Sequence, residues 1–313
     1  MMFSKPKFWD NKINIIAILL FPLSLILLVL IFIKKVFTRE RKFKIPIICV
    51  GNIYVGGTGK TPVSILLANK LSKEKRNPVI LRKYYKNHKD EHAFIINKFN
   101  NLILSKNRVD GLSKAEKSEF GTVILDDGFQ DVSFKKDISI ICFNQNQLIG
   151  NGLVLPAGPL RESLSSLKNT DIVIINGEKD KIFEEKILKM NNNLKIFYSF
   201  YKPININEFK NERLLAIAGI GNPENFFDLL NKNDLNIEKK IIFPDHYNFS
   251  KKEIQKIIDQ SKKDKLKIIM TEKDFYKIKN YDLNDIKYLK VEIQIKSEEK
   301  LFDVINKIYD KKG

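Results

Sequence analysis

Residues 44–62 read KIPIICVGNIYVGGTGKTP. The first half, Lys44–Asn52, is a short apolar run rich in β-branched residues, and from Lys60 to Leu71 the pattern becomes helical. A buried strand, a glycine-rich turn and a helix therefore follow one another. That is the setting in which G-x-x-x-x-G-K-[ST] binds phosphate. Glycines let successive backbone N–H groups turn inward around phosphate oxygens, and the helix N-terminus that follows favours an anion. This reading casts Tyr54, Val55, Gly56, Gly57, Thr58, Gly59, Lys60 and Thr61 as nucleotide-binding residues. Lys60 is expected to reach the β- and γ-phosphates, and the Thr61 hydroxyl to meet Mg²⁺. One departure is visible: Tyr54 stands where the motif has its first glycine, and Gly56 and Gly57 supply flexibility two residues later.

Downstream, Thr122–Gln130 (TVILDDGFQ) is an apolar strand that ends in two carboxylates. With a phosphate loop upstream, Asp126 and Asp127 are expected on the metal side of the site. Similar apolar runs recur at 78–81, 137–143, 171–176, 195–198, 214–219, 239–243, 267–271 and 288–295, mostly with helical stretches between them. Strands alternating with helices imply a doubly wound parallel α/β fold, here a P-loop NTPase-like sheet domain plus a second, smaller α/β domain. The polar stretch Lys202–Arg213 is the best linker, so the expected division is 1–36, 37–205 and 206–313. Ser297–Lys312 reads as a closing amphipathic helix.

Upstream, Ile13–Ile33 carries no charge over a length that, as a helix, spans roughly 30 Å of hydrocarbon. A cleavable signal peptide would have a shorter apolar core and a small-residue cleavage site, whereas Lys34 and Lys35 follow directly here. An N-terminal membrane helix is expected, either crossing the bilayer or lying on it. The basic flank Lys34, Lys35, Arg39, Arg41, Lys42 and Lys44 points the bulk of the chain to the cytoplasmic side of an inner membrane. The 313 residues carry a formal charge of +18, and 43% are hydrophobic, enough to bury real cores and exclude a disordered chain. Most of that charge is lysine in a sequence rich in Ile and Asn, and part flanks the anchor, so no nucleic-acid partner is inferred. Cys49 and Cys142 stand far apart, without a disulfide framework or zinc spacing.

The histidines are few enough to weigh singly. His88-Lys89-Asp90-Glu91-His92 spells H-x-x-E-H, a zinc-peptidase pattern with Glu91 as base, and a zinc-dependent membrane peptidase is one alternative. A solvated loop with two exposed histidines is another reading, and a carboxylate pair at an active-site entrance is preferred.

Several segments together resemble the tetraacyldisaccharide 4′-kinases, membrane-bound P-loop enzymes of lipid A synthesis. They are the phosphate loop with Pro62 behind it, Asp126–Gln130, LPAGPLRE at 155–162, AGIGNP at 218–223, Phe243–His246 and Thr271–Asp274, in that order. The match departs at Arg82-Lys83-Tyr84-Tyr85-Lys86, where the family has Ser-Arg-Gly-Tyr-Gly, and Lys83 is read at the position of the arginine. The resemblance implies transfer of the ATP γ-phosphoryl group, with Mg²⁺, to the 4′-hydroxyl of an acylated disaccharide 1-phosphate lipid. It implies Asp90 as acceptor of the hydroxyl proton and His246 as the residue that orients it. Glu91 and Glu162 are further candidates for the metal region, and Lys83 and Arg161 for the substrate phosphate; Thr271–Asp274 receives no role. No obligate protein partner is expected. A non-enzymatic alternative is a membrane-tethered P-loop ATPase regulator that uses nucleotide as a switch.

Overall fold

The computed structural model describes residues 6–10, 14–86, 89–245, 247–281 and 285–310, with the side chains of 89 and 90 left aside. The apolar runs form strands β1 (Ile47–Gly51), β2 (Pro78–Lys83), β3 (Leu102–Ser105), β4 (Thr122–Asp126), β5 (Ile138–Asn144), β6 (Ile172–Asn176) and β7 (Lys195–Pro203). They continue as β8 (Arg213–Ala218), β9 (Asn236–Ile242), β10 (Lys267–Thr271), β11 (Ile286–Leu289) and β12 (Val291–Ile295). Every position of β1, β4 and β5 is buried, as parallel strands covered on both faces must be, and this is why they read as unbroken apolar runs. β3, only four residues long, gives no such run, and the stretch 288–295 read as one strand is divided at Lys290 into parts of β11 and β12.

Among the described residues, the chain divides into two compact units, one drawn from Lys5–Tyr84, Phe99–Phe200 and Gln294–Gly313, the other from Tyr85–Lys98 and Tyr201–Ile293. The first is built on a sheet in the order β12-β7-β6-β5-β1-β4-β2-β3. Its registered pairs, from β6 against β7 across to β2 against β3, are parallel. β1 lies between β4 and β5, with Val50 beside Asp126 and Gly51 beside Ile141. Ligands of such sheets bind outside the carboxyl ends of the strands, where neighbouring connections part, and the phosphate loop leaves β1 there. Helix α2 (Lys60–Lys73) buries Ser64, Leu67, Ala68 and Leu71 at helical spacing.

The N-terminal apolar segment forms helix α1 (Ile15–Phe37), capped by Asn14, whose side chain accepts from Ile16 N–H. Only a stripe meets the rest of the first unit: Ala17 and Ser24 are buried, and Leu27 and Leu28 pack against its core. Most of the remainder is exposed, with Leu19 at 74% and Phe37 at 83%. This helix is long and apolar enough to cross a membrane by length and composition.

The second unit holds the sheet β11-β10-β8-β9, parallel throughout. Helix α4 (Pro223–Asn231) covers one face with Phe226, Phe227 and Leu230, and α5 (Lys251–Lys263) supplies Ile254 and Ile258 to the other. Two further helices of this unit, α3 (Lys89–Lys98) and α6 (Glu272–Ile278), pack on each other. The doubly wound parallel α/β class expected from the alternation of strands and helices is the one that forms.

Candidate active site

In the first unit the phosphate loop is held from within and from one side. Asn52, fully buried, donates from Nδ2 to the carbonyls of Tyr54 at 2.6 Å and Gly56 at 3.3 Å. Tyr54 is itself buried and forms an antiparallel bridge with Leu160. The substitution of tyrosine for the first glycine is thus absorbed by packing under the loop. Gly59 caps α2 at φ +88°, in the left-handed region that glycine enters without a Cβ penalty. A Cβ on Gly51 would come within 2.5 Å of Phe129 Cβ, so glycine permits the loop after β4 to close against the end of β1.

The two acids have different surroundings. Asp126 is completely buried: Oδ2 accepts from Thr61 Oγ1 at 3.1 Å and from the Arg82 guanidinium, and Oδ1 accepts from Ser64 Oγ at 3.1 Å. Arg82 also donates to Thr61 Oγ1 at 3.2 Å. Asp127 takes φ +58°, a conformation that costs a non-glycine residue roughly 1–2 kcal/mol. Its N–H donates to Val50 O at 2.9 Å and its carbonyl accepts from Arg108 at 2.6 Å. The turn thereby carries its carboxylate to Lys60, 3.5 Å away, and to Arg161, 3.1 Å away. Burial opposes ionisation of Asp127, but Lys60, Arg161, Arg82 and Arg108 outweigh it and hold the carboxyl well below the usual carboxylate range.

Nucleotide and cation fit these residues. The Thr58 hydroxyl is buried with no hydrogen-bond partner among the described residues, and a Cβ added at Gly56, φ +122°, would meet open space. Both leave a concave backbone and one unused donor where phosphate oxygens bind in such loops. Among the described residues no group of three or more His, Cys, Asp or Glu converges. Two acids and a hydroxyl suit Mg²⁺, which is commonly held by one or two carboxylates together with substrate phosphates.

The other expected residues divide between the units. Lys83 was expected to meet substrate, but it is Arg82 that reaches Thr61 and Asp126; side chains alternate along β2, so Lys83 points to the opposite face. Glu162, expected near metal, is buried and pairs with Lys35 of α1 at 2.6 Å. Glu91 belongs to the second unit, where Lys273 contacts it at 3.2 Å and Asp245 at 3.3 Å. Asp90 lies in the first turn of α3, immediately before Glu91. His246, next to Asp245, and His88 lie outside the described residues. The alternative of a solvated loop is not what forms: the described chain is helical from Lys89, with His92 buried.

Arg82, Ser64, Arg108 and Lys273 were not singled out from sequence. Lys273 falls inside the TEKD segment, where neighbouring Asp274 is buried and accepts from Gly219 N–H and Thr271 Oγ1, each at 2.7 Å. Arg82 and Lys273 are charges within or just after apolar strands, whereas Ser64 lies inside α2 and Arg108 opens the helix 108–117, where nothing local marks them.

A parallel sheet with a phosphate loop at the end of β1, acids at the end of β4 and cations gathered on them defines a P-loop nucleotide-binding protein. The family model described as tetraacyldisaccharide-1-P 4′-kinase (LpxK) matches residues 16–310. The tetraacyldisaccharide 4′-kinase of Pelagibacter ubique is 39% identical over 318 residues, 99% of this chain and 100% of that protein. The enzyme of the same name from Rickettsia bellii is 35% identical, covering 96% of this chain and 98% of its own. The crystal structure of LpxK from Aquifex aeolicus in complex with ATP has the same fold, at a TM-score of 0.72 and 22% identity over 94% of this chain and 99% of that one. The chain belongs to the tetraacyldisaccharide 4′-kinase family, the family its motifs resemble.

Proposed function

We propose that the chain transfers the γ-phosphoryl group of ATP to the 4′-hydroxyl of a tetraacyldisaccharide 1-phosphate, a step of lipid A synthesis. The observation that carries this reading is the Lys60, Thr61, Arg82, Asp126 and Asp127 cluster at the end of β1 and β4, in a chain 39% identical to a relative of that name. Phosphoryl transfer asks a protein chiefly for positioning and charge stabilisation. Lys60, Thr58 and the loop amides hold the phosphates. Thr61 and the two acids hold Mg²⁺, with Asp127 offering the more accessible carboxylate and Asp126 kept in register by Arg82 and Ser64. When bound, the cation neutralises charge on the phosphates. Asp90 takes the proton from the sugar hydroxyl as its oxygen attacks the γ-phosphorus and ADP departs. His246 orients that aspartate, a role supported by Lys273, which draws together the segments carrying Glu91 and Asp245, the neighbours of Asp90 and His246.

The lipid acceptor accounts for α1. Burying one CH₂ is worth about 0.8 kcal/mol, so four acyl chains keep the substrate in the bilayer and the enzyme must work at its surface. We read α1 as lying in the interface rather than crossing. The 150–162 segment contacts Trp9 before the helix, Ser24 in its middle and Lys35 near its end. A polar segment bearing Asn151, Arg161 and Glu162 cannot follow a helix through hydrocarbon. The basic flank from Lys34 to Lys44 supports an orientation on the cytoplasmic face of the inner membrane.

Incubating the purified full chain with labelled ATP and the disaccharide 1-phosphate in mixed micelles tests the reading: labelled lipid is expected, and hydrolysis without transfer would favour the regulator instead. Asp90→Ala should lower turnover about 10²–10⁴-fold with ATP affinity retained. Parental turnover would reject Asp90 as the base.

A further inference from the structure

The segment 153–162, LVLPAGPLRE, joins two parts of the first unit that no motif connects. On one side it pairs with the chain entering the phosphate loop. Arg161 N–H donates to Ile53 O at 2.7 Å, and Val55 N–H donates to Pro159 O at 2.9 Å. On the other side α1 grips it. Ser24, the one hydroxyl in an otherwise apolar helix face, is 1% exposed, donates to Val154 O at 2.8 Å and accepts from Ala157 N–H at 3.1 Å. Eleven residues further along α1, Lys35 reaches buried Glu162 at 2.6 Å. Glu162 adjoins Arg161, whose guanidinium sits 3.1 Å from Asp127.

A membrane anchor needs none of these contacts. A serine in the middle of an apolar helix lowers its affinity for lipid, and here its hydroxyl accepts from Ala157 N–H, a buried donor in a non-helical segment, and donates to Val154 O, which also accepts from Gly158 N–H at 3.1 Å. A carboxylate as buried as Glu162 requires a cation, and the cation comes from the anchor helix. The strap is therefore fixed at two points by α1 and at two points to the phosphate loop.

We propose that α1 is a positioning element of the nucleotide site. Through Ser24 and the Lys35–Glu162 pair it holds the 153–162 strap against residues 53–55, and so keeps Arg161 on Asp127 and the phosphate loop in its binding shape. Ser24 and Lys35 touch no substrate and act through the strap. The inference rests on the proposed nucleotide role of the loop, and two readouts separate the one from the other.

Ser24→Ala, Lys35→Met and Lys35→Arg are prepared as full chains in detergent micelles. Peptide-resolved amide hydrogen exchange is followed over 53–61 and 153–162, affinity is measured for a non-hydrolysable ATP analogue, and partition is measured into vesicles containing anionic phospholipid. In Ser24→Ala and Lys35→Met, exchange in both peptides is expected to rise about tenfold, with analogue affinity about tenfold lower and no loss of vesicle partition in Ser24→Ala. Lys35→Arg, which keeps the ion pair, should restore parental values. Parental exchange over 53–61 in both Ser24→Ala and Lys35→Met, with any change confined to the strap or to α1, would overturn the proposal and leave α1 an anchor alone. If Lys35→Met fails to fold, the Ser24→Ala arm decides. Failure of the parent chain to bind the analogue would count against the nucleotide reading, and the exchange arm would still decide this one.

Discussion

Replacing Arg82 by methionine keeps an unbranched stem in β2 while removing the guanidinium that meets Asp126 and Thr61. Asp126 is fully buried and Arg82 is 6% exposed, so water cannot replace the lost cation. Deleting one partner of a buried pair costs about 3–5 kcal/mol. Thr61 and Ser64 still donate to the stranded carboxylate, at 3.1 Å each, which argues for the lower end of that range. In a unit of this size, about 3 kcal/mol lowers Tm by roughly 6–12 °C. The assay is thermal unfolding of the full chain in micelles, in a cycle with Asp126→Asn. If the carboxylate is the source of the loss, the double variant recovers part of it, with a coupling of about 2 kcal/mol. Arg82→Lys should recover little, because a point charge cannot span Thr61 and Asp126 as the planar fork does. A parental Tm for Arg82→Met, or strictly additive effects in the cycle, would refute the reasoning.

Asp127→Asn should make stability less sensitive to acid. The folded carboxyl is held below its unfolded value, so its ionised form stabilises the parent fully above the ordinary carboxylate range, and that contribution is lost progressively as pH falls from that range through the lower folded value. In buffers free of divalent ions, the gap between parent and variant should be constant from about pH 9 to 5 and close below about pH 4; a gap that widens in acid would contradict this. Cys49 and Cys142 are buried thiols that burial pushes up to about 11 and about 12. Neither should react with a thiol reagent at pH 8 in the folded chain, and both should react after denaturation; rapid native labelling would show the strands around them to be open.

The local parts of this protein follow from its sequence because their physics is short-range. Strand, glycine turn and helix over 44–71 depend on residue period and on which residues tolerate a left-handed backbone, and both can be read within a few positions. The burial of β1, β4 and β5 was legible for the same reason, as was the apolar helix α1. β3 was not, since it is four residues long and only Ile103 in it is buried. The site is a different matter. Arg82 meets Thr61 across 21 residues and Asp126 across 44, while Lys35 meets Glu162 across 127, and no spacing rule joins such pairs. The order β1-β4-β2 brings the first pair together, and strand alternation turns Arg82 rather than Lys83 inward. The docking of α1 along the strap gives Ser24 and Glu162 their partners. Sequence alone determined that a strand, a glycine-rich turn and a helix N-terminus follow one another in the pattern of a phosphate loop, and that an N-terminal helix is long and apolar enough to cross a membrane. Only the tertiary structure decided which charges meet, because ionic contacts between distant segments depend on where strands are ordered in the sheet.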